Sequence, residues 1–330
     1  MDHTITEPRH IAVVGAGIAG LSCATALQHS GYRVSVFDKA RQSAGRMSTR
    51  RGDGWQCDHG ARFFTAEHPG FRAELARWER AGVAAPWYPA VRRFGADGSS
   101  ASVAPAERYV GTPGMSAPAA WLAAALAVHT EQAVSALARD AHRWRLLGQG
   151  AALPASRFDA LVLALPAPQA AALLRDAAPR HAALAASVTM QPCWAVLLQY
   201  PAPLALGFDA AELEGGPLCW VVRDSAKPGR GGSESWVLHA SAAWSEAHID
   251  ADPDAVAAQL LAAFAALGAP LPSAWRAHRW RYAAAAPART DGCIWDEGNG
   301  IGLCGDWLNG GTVEAAWLSG RQLAHRIASS

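Results

Sequence analysis

With 330 residues, 51% of them hydrophobic and 17% charged, the chain is long enough to bury about three quarters of its surface as one large domain or two modest ones. A formal net charge of +1 supplies no field suited to nucleic acid or an anionic membrane. No apolar run approaches a membrane span and the polar stretch Met1 to His10 holds no signal-peptide core, so a soluble, cytoplasmic protein is expected. The cysteines at 23, 57, 193, 219, 293 and 304 form no C-x-x-C pair and no metal spacing, which predicts reduced core thiols and no metal site. The scattered histidines, His3, His10 and His29 among them, read as ordinary surface or core residues. Fourteen tryptophans fit an aromatic-lined pocket and fit core packing equally.

The first element is a buried strand, Ile11-Ala-Val-Val14, that runs into Gly15-Ala16-Gly17-Ile18-Ala19-Gly20. A helix follows, with Ile18, Leu21, Ala24 and Leu27 on one face and Gly31 as its stop. Gly15 makes the turn, Gly17 lets the backbone approach a pyrophosphate, and Gly20 lets the helix pack tightly on the strand. The unpaired N–H groups of the helix start then receive the phosphates. The next strand, Arg33 to Phe37, ends on Asp38, about twenty residues beyond the glycines, where a carboxylate accepts hydrogen bonds from an adenosine ribose and repels a ribose phosphate. The nucleotide expected is FAD or NAD, not NADP. A structural strand-turn-helix without ligand fits the glycines alone but not the full set.

Lys39 to Arg51, with Gly45, Arg46 and Met47 at its centre, is a basic loop placed to neutralise a pyrophosphate, although a solvated loop fits the same residues. Asp58-His-Gly60-Ala61-Arg62-Phe63-Phe64-Thr65 reads as short and strand-like. Phe71 to Ala85 is predicted helical, Trp87 to Val110 a hairpin, and Met115 to Val128 an alanine-rich helix. Short alternating segments fill Glu131 to Phe158, and Asp159 to Pro166 is a buried parallel strand by its continuous apolar run. Gln169 to Ala186 is helical. Strand-like runs at Trp194 to Tyr200, Leu218 to Val222 and Trp236 to Ala240, with a helix at Pro253 to Leu267, predict an antiparallel sheet. The last pieces are a strand, Gly300 to Asp306, and a helix, Val313 to Ala328, that Thr312 is placed to cap. A helix start stabilises the negative charge that a two-electron-reduced flavin develops near N1; a helix that merely covers the sheet fits the same residues.

Gly15-x-Gly17-x-x-Gly20, the Gly45-Arg46 loop and Asp58-x-Gly60-Ala61 together resemble the amine oxidase branch of flavoproteins, which bind FAD in a glutathione-reductase-like domain. The resemblance to bacterial renalases is closer. It runs through Phe37-Asp-Lys, Gly45-Arg46-Met47-Ser, Phe64-Thr65-Ala66, Gly111-x-Pro-Gly114-Met115-Ser116-Ala117, Pro166-Ala-Pro-Gln169, Trp194-Ala-Val, Leu238-His239-Ala240, Ala277-His278-Arg279-Trp280-x-Tyr282-Ala283 and Cys304-Gly305-Asp306-Trp307. It implies non-covalent FAD held by Gly15 to Gly20, Asp38, Lys39, Gly45, Arg46 and Met47, with the backbone of Val134 at the adenine. It also implies that Gly60, Ala61 and Arg62 pass beside the isoalloxazine, that Gly305 and Asp306 bind the ribityl chain or pyrophosphate, and that Thr312 and Val313 face the flavin's N1 and C2 carbonyl. Two departures stand out, Arg62 where that family usually carries Gln and Ala315 where it carries Gly.

The fold so implied is α/β. A Rossmann-like FAD-binding domain is expected over 1–75, 110–168 and 289–330, with a second α+β substrate domain over 76–109 and 169–288. There is no second dinucleotide motif and no redox cysteine pair after the first helix, so electrons must come from a substrate docked over the flavin. The pocket candidates are Arg62, Phe63, Trp194, Trp220, His239, Trp280 and Tyr282, each of which core packing also explains. Renalases as a family oxidise NAD(P)H isomers reduced at the wrong ring carbon, passing electrons to O2 with release of hydrogen peroxide. The resemblance implies the same here, with amine oxidation, desaturation or a flavin module without turnover as alternatives. The expected partners are a small-molecule substrate and O2.

Overall fold

The computed structural model describes residues 8–140, 143–148, 153 and 157–330. His3, the opening stretch as far as Glu7 and parts of the segment expected to alternate between Glu131 and Phe158 lie outside the described residues. In chain order the elements begin β1 (His10–Val14), α1 (Ile18–His29), β2 (Arg33–Phe37), β3 (Thr49–Gly52), β4 (Trp55–Asp58) and α2 (Pro69–Arg80). There follow β5 (Ala84–Pro86), β6 (Val91–Phe94), β7 (Ser100–Ser102), β8 (Tyr109–Gly111), α3 (Ala117–Ala123), β9 (Ala127–His129), β10 (Val134–Asp140) and β11 (Arg143–Gly148). Next come β12 (Ala160–Leu163), α4 (Ala167–Leu174), α5 (Pro179–Ala186), β13 (Met190–Tyr200), β14 (Ala210–Leu213) and β15 (Leu218–Arg223). The chain closes with β16 (Glu234–Ala240), α6 (Ala242–Ala247), α7 (Pro253–Ala265), β17 (Ala274–Ala285), β18 (Ile294–Asp296), β19 (Ile301–Leu303) and α8 (Val313–Ala328).

These elements divide between two compact units, one holding the chain up to Gly45 with Ala119–Thr189 and Ala285–Ser330, the other Arg46–Pro118 and Met190–Ala284. The division differs from that read in the sequence: residues 46–75 and 110–118 belong to the second unit, and 169–189 and 285–288 to the first. For the β3–β4 hairpin the physical reason is charge. β4 ends on Asp58, a fully buried carboxylate whose cationic partners, Lys227 and Arg230, lie in the second unit, so the β3–β4 hairpin goes with them.

The first unit is built on a six-stranded sheet of order β18-β19-β12-β1-β2-β9. Strands β19, β12, β1, β2 and β9 are parallel, and only β18 runs antiparallel at the edge. Every residue of β1 and β12 is buried, as continuous apolar strands between helices require. Helices α1 and α8 pack against each other at a glycine: a Cβ on Gly320 would lie 2.1 Å from the Ala19 carbonyl oxygen. The helix expected over Met115 to Val128 stops at Ala123, and Ala127–His129 becomes an edge strand parallel to β2. Pairing with an unfilled sheet edge overrides the helical propensity of an alanine-rich run. The helix expected over Gln169 to Ala186 is two, α4 and α5, with Pro179 starting the second.

The second unit contains a seven-stranded sheet of order β17-β13-β16-β15-β14-β6-β7. The pairs β13–β16, β16–β15, β15–β14 and β6–β7 are antiparallel, and β14–β6 is parallel. Alternation along the strands separates two faces. One buries Trp194, Val196, Leu198, Val221, Trp236 and Leu238 against Val256, Leu260 and Phe264 of α7. Residues of opposite parity, Trp220 on β15 and its cross-strand partner His239 on β16, point to the other face. Among the described residues no helix is long and apolar enough to cross a membrane.

Candidate active site

The glycine turn has the geometry its sequence demands. Gly15 has φ +107°, and a Cβ there would strike the Ala164 carbonyl oxygen at 2.4 Å; a Cβ on Gly20 would lie 2.0 Å from the oxygen of Gly15. Only glycine at both positions lets β1 turn straight into α1 while the helix seats on the strand. A Cβ on Gly17, by contrast, would meet nothing within 4 Å. The turn is open on that side, and no side chain caps the start of α1, so its first N–H groups keep their donors for a ligand. Asp38 stands at the tip of β2, where its Oδ2 accepts the Ala16 N–H at 2.7 Å and its Oδ1 the Ala40 N–H at 2.8 Å. Each oxygen retains a second lone pair for a sugar hydroxyl.

The loop after Asp38 returns to the turn. Ala44 bridges Gly17 and donates its N–H to the Ala16 carbonyl at 2.9 Å, at a φ of +125° that a residue with a Cβ adopts only under constraint. Lys39 is exposed, Met47 buried and Val134 half-buried. Val134 begins β10 just after Gln132, whose N–H donates to the Asp38 carbonyl. At the other end of the sheet, β19 delivers Gly305 and the buried Asp306, and the indole of Trp307 donates to the Leu165 carbonyl at 3.0 Å. Both glycine segments therefore sit at strand ends flanking β12, within one unit. Thr312 caps α8 by accepting the Ala315 N–H at 3.0 Å, with Val313 as first helical residue and Glu314 in the first turn. Open turn, uncapped helix start and flanking acids fit a flavin adenine dinucleotide.

The second unit gathers most of the other candidates. Gly60 is close-packed: a Cβ there would lie 1.9 Å from the Arg46 carbonyl oxygen, which instead accepts the Ala61 N–H at 2.8 Å. The Arg46 guanidinium donates to the Ala283 carbonyl. Arg62 lies 4.9 Å over the Trp220 ring, and Phe63 meets that ring edge-on at 5.6 Å. The Nε of Arg62 is buried without a partner. Trp280 donates to the His59 carbonyl at 2.8 Å and stacks on its ring at 5.2 Å, while His278 meets both rings edge-on. Tyr282 shares the parity of Trp280 and His278 on β17. Trp194 does not join this group; it is packed in the α7 core with its indole bonded to the His248 carbonyl.

Electrostatics keep this face neutral in its imidazoles. Burial, with the Arg62 charge, pulls His239 down to about 3; the His59 backbone favours the charged form but is outweighed, and neither ring nitrogen completes a hydrogen bond. Burial and His278 take His59 to about 3, and burial takes His278 to about 4. Burial pushes the Cys193 thiol up to about 12 and raises Cys219, so neither thiol offsets the Arg62 charge. Nearby, Asp58, Asp224, Lys227 and Arg230 form a sealed cluster of two anions and two cations. Sequence reasoning missed that cluster, as well as His59 and His278. The tandem His-x-Trp alternation on β17 was a legible signal for His278. Among the described residues no group of three or more metal-ligating side chains occurs.

A dinucleotide turn at the end of a parallel strand is the signature of a nucleotide-cofactor protein, and the sheet of the second unit carries tryptophan, imidazole and guanidinium groups on the face away from α7. Residues 13–78 match the NAD(P)-binding Rossmann-like domain model, and residues 79–328 match that of the flavin containing amine oxidoreductases. The chain belongs to the flavin-containing amine oxidoreductase family, whose cofactor is FAD. It is 39% identical over 70 residues to an L-amino-acid oxidase of Siganus canaliculatus and 35% identical over 65 residues to one of Bothrops pauloensis. These matches cover 21% and 19% of this chain and 13% of each relative's length. The fold is also that of the cyclohexylamine oxidase from Brevibacterium oxydans IH-35A (TM-score 0.74, 13% identity, 98% of this chain and 99% of that one). A putrescine oxidase bound to putrescine superposes with a TM-score of 0.75 at 13% identity, over 98% of this chain and 99% of that one.

Proposed function

We propose that the protein oxidises dihydronicotinamide nucleotides reduced at the 2- or 6-position and returns NAD(P)+, the renalase reaction. The supporting observation is the charge state of the sheet face away from α7. His59, His239 and His278 are held neutral, and Lys227 is sealed in an ion cluster, so the face offers aromatic surface and neutral donors instead of a poised acid-base pair. A dihydropyridine yields hydride without prior deprotonation and needs orientation more than a base. FAD, when bound, accepts the hydride, and O2 takes the electrons onward to hydrogen peroxide. In this reading the Trp280–His59 stack carries the ring, and Arg62 with His239 orients its carboxamide, one donating and the other able to donate and accept. The free cysteines suit a reducing compartment, and we assign the protein to the cytoplasm.

Anaerobic mixing of the holoprotein with each dihydronicotinamide isomer, followed at the flavin absorption band, tests the proposal. Rapid bleaching with the 2- or 6-isomer is expected, and none with any isomer refutes it. The second reading is amine oxidation, favoured by the names of the relatives. Turnover of primary or secondary amines under the same conditions selects it.

A further inference from the structure

We infer that Arg62 and His239 form a subsite for a carboxylate on the substrate's ring, so that the protein takes dihydropyridine nucleotides bearing a ring acid in preference to those bearing a ring amide. The inference rests on the dihydronicotinamide reading and names the substituent that the same site selects.

The two side chains meet at Trp220, within the second unit. The guanidinium of Arg62 stands 4.9 Å over the indole, and His239 is the cross-strand partner of Trp220 on the sheet face away from α7. Opposed residues on neighbouring strands hold their Cβ atoms about 5 Å apart, so both side chains border the same indole. On its other side His239 faces Ala195 of β13, whose side chain is a single methyl. His239 is 2% exposed and neither of its ring nitrogens has a partner, while the Nε of Arg62 is buried and unpaired as well. A cation–π contact uses no N–H donor, so Trp220 holds the guanidinium without satisfying it. Buried polar groups are ordinarily hydrogen-bonded, and three orphaned nitrogens beside one indole mark a place for a ligand's polar atoms.

Charge decides which ligand fits. Glu212, the carboxylate whose charge reaches Arg62, is engaged with Arg93 at 2.8 Å, and Asp58 and Asp224 are closed in with Lys227 and Arg230. The thiols of Cys193 and Cys219 donate to the Ala240 carbonyl at 3.6 and 3.3 Å and stay protonated. A second cation stands in line: Arg108, buried, lies 5.2 Å over Phe63, which meets Trp220 edge-on. Among the described residues neither Arg62 nor Arg108 has a carboxylate partner. The planar fork of arginine pairs with a carboxylate through two charge-assisted bonds, and a neutral imidazole N–H adds a third. A carboxamide at the same atoms makes hydrogen bonds but leaves the positive charge uncompensated, as does water.

Nicotinate adenine dinucleotide and NAD+ differ only in that substituent, so calorimetric titration of the oxidised holoprotein with each isolates it from turnover. The acid is expected to bind about tenfold more tightly than the amide, with the gap closing in Arg62→Gln and returning in part in Arg62→Lys. The comparison on the native protein needs no variant to fold. Failure to bind either dinucleotide, equal affinity for the two, or a gap that survives in Arg62→Gln overturns the subsite. Arg62-dependent binding of L-leucine by a protein that binds neither dinucleotide also overturns it, in favour of an amino acid's carboxylate. Preference for the acid with no flavin bleaching by any dihydropyridine isomer, acid or amide, upholds the subsite and overturns the redox reading; bleaching without the preference does the reverse.

Discussion

Lys227 and Asp58 stand 169 residues apart in the chain, yet their side chains meet at 2.9 Å, wholly sealed from solvent. Lys227 also donates to Asp224 at 2.6 Å, and Arg230 bonds Asp58. Burial pushes both carboxyls up. Lys227 and Arg230 overcome this at Asp58, which falls below the usual range, while the charge of Asp58 helps to leave Asp224 at about 6. The cluster is neutral as a set, so removing one cation strands a buried negative charge. Lys227→Met is expected to destabilise the holoprotein by about 3–5 kcal/mol, against about 0–1 kcal/mol for Arg72→Met in the exposed Arg72–Glu107 pair. Thermal unfolding of the two variants side by side decides; equal shifts contradict the assignment.

Asp38 ties the tip of β2 to the glycine turn through the Ala16 N–H. Asp38→Ala is expected to weaken FAD binding by roughly 10- to 100-fold, since both a charge-assisted bond that shapes the turn and the acceptor for a ribose hydroxyl are lost. Titration of apoprotein with FAD, followed by flavin fluorescence, measures it. An unchanged dissociation constant places the ribose elsewhere.

Folding stability should fall on mild acidification. His59 and His239 have folded pKa values near 3, below the ordinary 6.5 of the unfolded chain. The unfolded state therefore binds more protons below pH 6.5, and the stability present above that pH is lost as pH falls towards about 3. These two imidazoles contribute at most about 2.7 kcal/mol per pH unit, and His278, at about 4, adds to the same loss. Asp224 acts in the opposite direction between its ordinary value and about 6, because its folded form holds the proton more tightly. Urea unfolding from pH 7.5 to 5 is expected to show the net loss, and His239→Gln a shallower one.

The approach of α1 and α8 admits no side chain at Gly320. Gly320→Val is expected to separate the helices and cost about 1–3 kcal/mol or more, read as a lower unfolding midpoint in urea. A variant as stable as the parent shows that the contact yields.

The glycine turn, the buried strand at Asp159 to Pro166 and the Thr312 cap were legible because each is a local pattern: φ requirements, apolar continuity, and a hydroxyl before a helix. Edge strand β9 was not, because Ala127–His129 carries no alternation of its own and is a strand only through pairing with β2. β14 escaped for a related reason; its four residues are held by β15 on one side and β6 on the other. Arg62, Phe63, Trp220, His239 and Trp280 lie on the sheet side away from α7, but Trp194 lies on the other parity of β13, which only strand register decides. The Asp58 cluster joins charges too remote in sequence for any spacing rule to pair.

Strand β17 serves two masters at once: Ala277 leans on the apolar core while His278 and Trp280 hold the ring stack. Deleting a single residue ahead of Ala277 would exchange these duties, driving a histidine and a tryptophan into the apolar core and turning alanine and arginine to the opposite face. Length changes along this edge keep both faces intact only in pairs, whereas a substitution leaves the register unchanged.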